Sequence, residues 1–76
     1  MAGVKWIKTA SEDYHGQVAN AFVGRIWLDP KDPNCGYFAE CKFDNWLIRY
    51  SSLSGAKNGI RIHLRNFANK ILEAVT

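Results

Sequence analysis

Residues 37–50 read Tyr37-Phe38-Ala39-Glu40-Cys41-Lys42-Phe43-Asp44-Asn45-Trp46-Leu47-Ile48-Arg49-Tyr50. Tyr37, Ala39, Cys41 and Phe43 alternate with Phe38, Glu40 and Lys42. After Asp44-Asn45, Trp46, Ile48 and Tyr50 alternate with Leu47 and Arg49. Period-2 runs on either side of an Asp-Asn pair predict a tight β-hairpin, because both residue types tolerate the left-handed backbone of such turns. Setting Phe43 opposite Trp46 places Cys41 opposite Ile48 and Ala39 opposite Tyr50. All seven apolar residues then share one face, which is what selects a register.

Working outward, Phe22-Val23-Gly24-Arg25-Ile26-Trp27-Leu28 predicts a further strand, ended by a turn over residues 29–36 that holds both prolines and a closing glycine. Pairing Leu28 with Tyr37 puts Phe22, Gly24, Ile26 and Leu28 on the core face. Residues 4–9 read as an edge strand. Residues 10–21 fit either a helix starting at Ser11-Glu12-Asp13 or a strand carrying Val18, Asn20 and Phe22 on one face. A turn through His15-Gly16 into a long strand is the favoured reading.

In the last third, Leu53, Ala56, Ile60, Leu64, Phe67, Ile71 and Ala74/Val75 recur at three- and four-residue steps, predicting an amphipathic helix from about Ser54 to Ala74. Ser52 or Ser54 is placed to cap it. Gly55 and Gly59 weaken its first turns and permit close approach to the sheet. The expectation is an α+β single domain, 1–76: an antiparallel β-meander of about four strands with one C-terminal α-helix packed on one face. The expected core is Phe22, Ile26, Ala39, Cys41, Ile48, Ile60, Leu64, Phe67 and Ile71. Truncating Phe67 to Ala should then cost about 3–5 kcal/mol.

Size and composition restrict the function. A chain of 76 residues buries about 60% of its unfolded surface, enough for one thin core without a roomy enclosed active site. The 47% hydrophobic content and a net charge of only +3 exclude a disordered chain. No apolar run of about eighteen residues exists to span a membrane, and residues 1–6 lack a signal-peptide core, so a cytoplasmic location is expected. Cys35 and Cys41 form no CxxC and lie far from His15 and His63. Plain thiols, no metal and no cofactor are expected.

No nucleophile elbow, phosphate loop, paired-histidine helix or Ca²⁺ loop is present, so the chain reads as a non-enzyme. His63 sits at the edge of the apolar stripe and reads as a tucked core histidine. The outer sheet face is more informative. Arg25, Glu40 and Arg49 are expected in line across three strands, with Trp27 beside Phe38. Such a face serves either cross-strand stabilisation or a contact surface, and Trp and Arg are the residues that dominate binding hot spots. Residues 42–76 carry six cations against Asp44 and Glu73, and Lys57, Arg61 and Arg65 recur at i, i+4 and i+8. That stripe is either a solvated face or a docking strip for an anionic partner. The candidate partner-binding residues are therefore Arg25, Trp27, Phe38, Arg49, Lys57, Arg61 and Arg65.

The succession Ala21-Phe22-Val23-Gly24-Arg25-Ile26, Pro/Gly turn, hairpin, then Ser52-Leu53-Ser54-Gly55-Ala56-Lys57 leading into an amphipathic helix, resembles small phage and prophage proteins across residues 21–75. Gly36-Tyr37-Phe38-Ala39-Glu40-Cys41 is also faintly similar to HicB-type antitoxins, although their Gly-Cys and Gly-Asp-Thr elements are missing. Among compact phage proteins of this size, anti-CRISPR inhibitors are a prominent class. The resemblance implies a phage or mobile-element protein that inhibits a host nucleoprotein machine by protein–protein contact. The alternative is a small RNA- or DNA-binding module using the aromatic sheet face and the helix stripe. Unpaired outer strands leave a homodimer open.

Overall fold

The computed structural model describes residues 3–31 and 36–75, without the side chain of Ala10. Among the described residues five antiparallel strands form one sheet in chain order: β1 (Lys5–Ala10), β2 (Asp13–Val18), β3 (Ala21–Leu28), β4 (Tyr37–Cys41) and β5 (Leu47–Tyr50). One helix, α1 (Leu53–Val75), packs on a single face of it. The architecture is the α+β meander expected, with one strand more than the four anticipated.

The extra strand comes from residues 10–21. They form strand rather than helix, but the turn is not at His15-Gly16. Both of those residues pair inside β2, His15 with Ile7 and Arg25, Gly16 with Trp6 and Gly24. The turns fall instead at Ser11-Glu12 and at Ala19-Asn20, where Ala19 and Asn20 both take left-handed backbone (φ 50° and 67°). Gly16 is a strand residue because the Trp6 ring lies across it and leaves no room for a side chain.

A bulge then changes which way β3 faces. Gly16 pairs with Gly24 and Gln17 with Phe22, so Val23 is the extra residue. Such an insertion interrupts the alternation. Phe22 turns to the outer face, 38% exposed with its ring 5.5 Å from His15, and Val23 is buried in its place. Phe22 is thus not a core residue.

Leu28 pairs with Tyr37 as expected, and Asp29 N–H donates to the Gly36 carbonyl at 2.9 Å to close that connection. The turn's middle, Cys35 included, lies outside the described residues. The β4–β5 register is offset by two residues from the expectation. Ala39 pairs with Ile48 and Tyr37 with Tyr50, and Cys41 N–H donates to the Trp46 carbonyl. Asp44 and Asn45 do adopt left-handed backbone, but within a longer loop. Phe43 leaves the ladder to stack on Phe67 of α1, centroids 5.2 Å apart, and Trp46 stacks on His63 at 4.9 Å. A two-residue slip preserves the faces, so the same residues still point toward the helix.

Ser52 Oγ accepts from Gly55 N–H at 3.0 Å and caps α1. Its inward side chains Ala56 and Ile60 meet Ile26 and Ala39, and all four are fully buried. Trp6, Tyr14, Tyr37, Tyr50, Leu53 and Leu64 close around them. The contact is close because side chains are missing. A Cβ at Gly24 would lie 2.8 Å from the Glu40 carbonyl oxygen and 3.4 Å from Ile60, and one at Gly59 would overlap the Tyr50 hydroxyl.

The core is shorter than α1. At about 1.5 Å per residue, 23 residues make a helix of roughly 34 Å, longer than the sheet it crosses. Every described side chain from Ala68 to Val75 is exposed, so Ile71, at 48%, lies outside the core. Ile48, on the edge strand, is 43% exposed and is also not core. Phe67 is only half-buried, which lowers its expected contribution.

The burial pattern orders two truncations. Ile60→Ala should cost about 2–5 kcal/mol in urea unfolding, while Phe67→Ala should cost clearly less, losing one aromatic stack and part of its area. Equal losses would contradict this placement of the core.

Candidate functional site

Residues pointing away from α1 form two rows across the sheet. Ile7, His15, Arg25, Glu40 and Leu47 occupy one, and Asp13, Trp27, Phe38 and Arg49 the next. Arg25 faces Glu40 and Trp27 faces Phe38, as expected. Arg49 does not extend the Arg25–Glu40 line, because the slipped register sets it beside Phe38 and puts Leu47 beside Glu40. The Trp27 and Phe38 rings lie 5.6 Å apart at 32°. This separation is that of a favourable aromatic pair.

Each end of this row is clamped. Arg25 donates to both oxygens of Asp13, Nε to Oδ1 at 3.1 Å and Nη2 to Oδ2 at 2.9 Å, while its guanidinium lies 4.7 Å from the Trp27 ring centre. The fork geometry of Arg fits a carboxylate through two parallel bonds and stacks on an indole at the same time. At the other end, Arg49 Nε donates to Asp29 Oδ2 at 3.3 Å, and Asp29 Oδ1 accepts the Lys31 N–H at 2.9 Å. Trp27, Asp29, Pro30, Lys31, Phe38 and Leu47 line a shallow groove of about 360 Å³, with Leu47 55% exposed.

The electrostatics follow from the clamps. The hydrogen bonds from Arg25 hold the Asp13 carboxyl below its ordinary range, and the same bonds raise Arg25. Beside them, the Tyr37 hydroxyl donates to Glu12 Oε2 at 2.8 Å, and that bond pushes the Tyr37 phenol up. Burial pushes up the Cys41 thiol, which is free and buried with Sγ 3.4 Å from the Val23 carbonyl oxygen. A desolvated thiol of this kind is a poor nucleophile.

The helix residues belong to a different surface. Lys57 Nζ lies 5.3 Å from the Tyr14 ring centre, Arg61 donates to Asn58 Oδ1 at 2.6 Å, and Arg65 is exposed. Since α1 covers the inner face, these three cations lie across the sheet from Trp27 and Phe38. The seven candidate residues therefore divide into an outer-face group (Arg25, Trp27, Phe38 and Arg49) and a helix group. His63 is tucked, as read from the sequence: it stacks on Trp46, and its Nε2 is buried with no hydrogen-bond partner among the described residues. No group of three metal-ligating side chains occurs among the described residues.

The acidic partners Asp13 and Asp29 and the groove wall at Pro30 and Leu47 escape a reading by alternation. Asp13 and Asp29 sit at strand ends, where acids are ordinary, and only the fold brings them to the arginines. Compared with known proteins, the chain matches no family model, no curated protein and no solved structure.

The Asp13 clamp has a pH signature. A carboxyl held below its unfolded value stabilises the fold above that unfolded value, and the contribution disappears as pH falls through the lowered one. Melting temperature should therefore fall more steeply in wild type than in Asp13→Asn as pH drops from about 5 to about 2. Parallel curves would remove the clamp from the stability of the fold.

Proposed function

We propose that this protein is a non-enzymatic binding protein whose outer sheet face docks on a protein partner. The observation that supports it is the Trp27–Phe38 pair held between two arginine–aspartate clamps. An aromatic pair fixed by its neighbours gives up little side-chain freedom on docking. A groove beside Leu47 offers a place for a partner's apolar side chain, and Trp and Arg are the commonest anchors of protein interfaces.

The clamps also favour a protein over a phosphate backbone. Arg25 already spends its fork on Asp13, and Asp29 sits against Arg49, so the face is apolar with local ion pairs rather than uniformly positive. A nucleic-acid module would need the stacking platform and the cation stripe on one surface, whereas α1 carries Lys57, Arg61 and Arg65 on the far side of the sheet. In the proposed role those cations steer association, because long-range charge attraction raises encounter rates.

The resemblance to compact phage proteins supplies the partner class: a host nucleoprotein machine in the host cytoplasm, inhibited by occlusion as anti-CRISPR proteins do. No helix among the described residues is long and apolar enough to cross a membrane.

The test is quantitative capture of host complexes on immobilised protein. Trp27→Ala and Phe38→Ala should each weaken retention of the same captured complex by about tenfold or more, the loss expected for a hot-spot residue. Arg61→Ala with Arg65→Ala should slow association and leave the dissociation rate nearly unchanged. Retention indifferent to Trp27→Ala would overturn the proposal. So would binding of a short oligonucleotide with a steep salt dependence and no protein partner.

A further inference from the structure

Acidic side chains are unevenly spread over the molecule. Asp13 and Asp29 hold Arg25 and Arg49, and Glu40 stands opposite Arg25 on the outer face. Glu12, in the turn between β1 and β2, already accepts the Tyr37 hydroxyl. Asp44 lies in the β4–β5 loop and Glu73 near the C-terminal end of α1. The helix side of β1 and β2 instead presents Trp6, Lys8, Tyr14 and Gly16, with no acid among them.

Cations gather on that side. The helix packs on β3, β4 and β5, so β1 and β2 flank it rather than lie beneath it. Lys57 reaches across the flank, its Nζ 5.3 Å from the Tyr14 ring centre, and Lys8 Nζ approaches the same ring to 5.8 Å from β1. Neither ammonium forms an ion pair among the described residues. Two like charges meeting at one ring repel, and a bound anion removes that repulsion. Arg61 and Arg65 continue the row at four-residue steps, each about 6 Å of helix rise. Arg61 is bonded to the neutral Asn58, and Arg65 is exposed. The cation stripe that lies away from Trp27 and Phe38 thus borders a second aromatic pair, Trp6 and Tyr14, both half-buried.

We propose that this flank, between α1 and the inner side of β1 and β2, binds the phosphate backbone of a single nucleic-acid strand. Lys8 and Lys57 share one phosphate, and Arg61 and Arg65 take the phosphates that follow. Charge complementarity selects a polyanion, because a row of cations without carboxylates matches a row of phosphates. The rings select a nucleic acid over an acidic peptide, since every base offers a π-face to an aromatic neighbour. Phosphate contacts position a strand without reading its sequence, so binding at this site is sequence-tolerant. A nucleoprotein partner presents both surfaces at once, protein to the outer face and nucleic acid to this one.

This inference does not rest on the outer face being a docking site, and the experiment separates the two. Fluorescence anisotropy of a labelled mixed-sequence single strand of about twelve nucleotides, titrated with the full chain at about 50 mM salt, should saturate in the micromolar range. Three or four phosphate contacts give a log–log salt slope of about −2 to −3 on a single strand. Lys8→Gln combined with Lys57→Gln should keep wild-type circular dichroism, weaken binding about tenfold or more and make the slope shallower by about 1. Arg61→Gln combined with Arg65→Gln should do the same. Trp27→Ala should bind the oligonucleotide as wild type does. No anisotropy change up to about 500 µM protein overturns the inference. Binding indifferent to the lysine pair, or lost with Trp27→Ala, overturns it as well. So does tighter binding of the duplex, or of a poly-glutamate peptide of equal charge. Capture of a protein complex through Trp27 without any oligonucleotide binding would overturn this site and leave the outer face standing.

Discussion

The close approach of α1 to the sheet is the constraint on which the remaining structure depends. Ile60 reaches Ile26 and Ala39 across Gly24, and Tyr50 lies over the helix backbone at Gly59. Each contact depends on a side chain that is absent. Among the described residues the fully buried central cluster is Ile26, Ala39, Ala56 and Ile60, supplemented by the Phe43–Phe67 and Trp46–His63 stacks between the layers. For a chain of 76 residues that is a thin margin, and the aromatic rings of Trp6, Tyr14, Tyr37, Trp46 and Tyr50 extend it by closing the rim. Glycine in a helix lowers its intrinsic stability by about 1 kcal/mol against alanine. Here the packing that Gly59 allows offsets that cost.

Committing α1 to the inner face determines what the outer face can be. No described helix or strand packs over Trp27, Phe38 and Leu47, and two ion pairs hold the surroundings of that surface in place. Surface ion pairs contribute little to stability, so the value of these lies in fixing rotamers. The same geometry leaves β5 at the margin of the helix's cover, with Ile48 and Ile62 half-exposed. The uncovered aromatic face and the half-exposed side chains at β5 are thus both consequences of a helix that packs on the middle of the sheet.

Much of this was legible from residue alternation. Period 2 in residues 37–50 and in β3 correctly assigns the helix-facing side of Ile26, Ala39 and Cys41, and the pairing of Leu28 with Tyr37 aligns Trp27 with Phe38. What alternation cannot show is an inserted residue. The bulge at Val23 reverses Phe22, and the Phe43–Phe67 stack lengthens the β4–β5 loop and moves Arg49 from Glu40 to Phe38. The turn at Ala19-Asn20 carries no glycine signal, whereas Gly16 resembles a turn residue while serving the Trp6 ring. The outer-face aromatics were readable as a pair. Their clamps were not, because Asp13 and Asp29 reach the arginines only through the pairing of strands.

The central claim, that a missing side chain sets the distance between helix and sheet, is tested most directly by a double-mutant cycle between Gly59 and Tyr50. In wild type, Gly59→Ala should destabilise the protein despite the better helix propensity of alanine. In the Tyr50→Leu background the same change should be neutral or stabilise by up to about 1 kcal/mol, giving a coupling of about 1–3 kcal/mol by urea unfolding. Additive effects, or a Gly59→Ala variant more stable than wild type, would contradict the account.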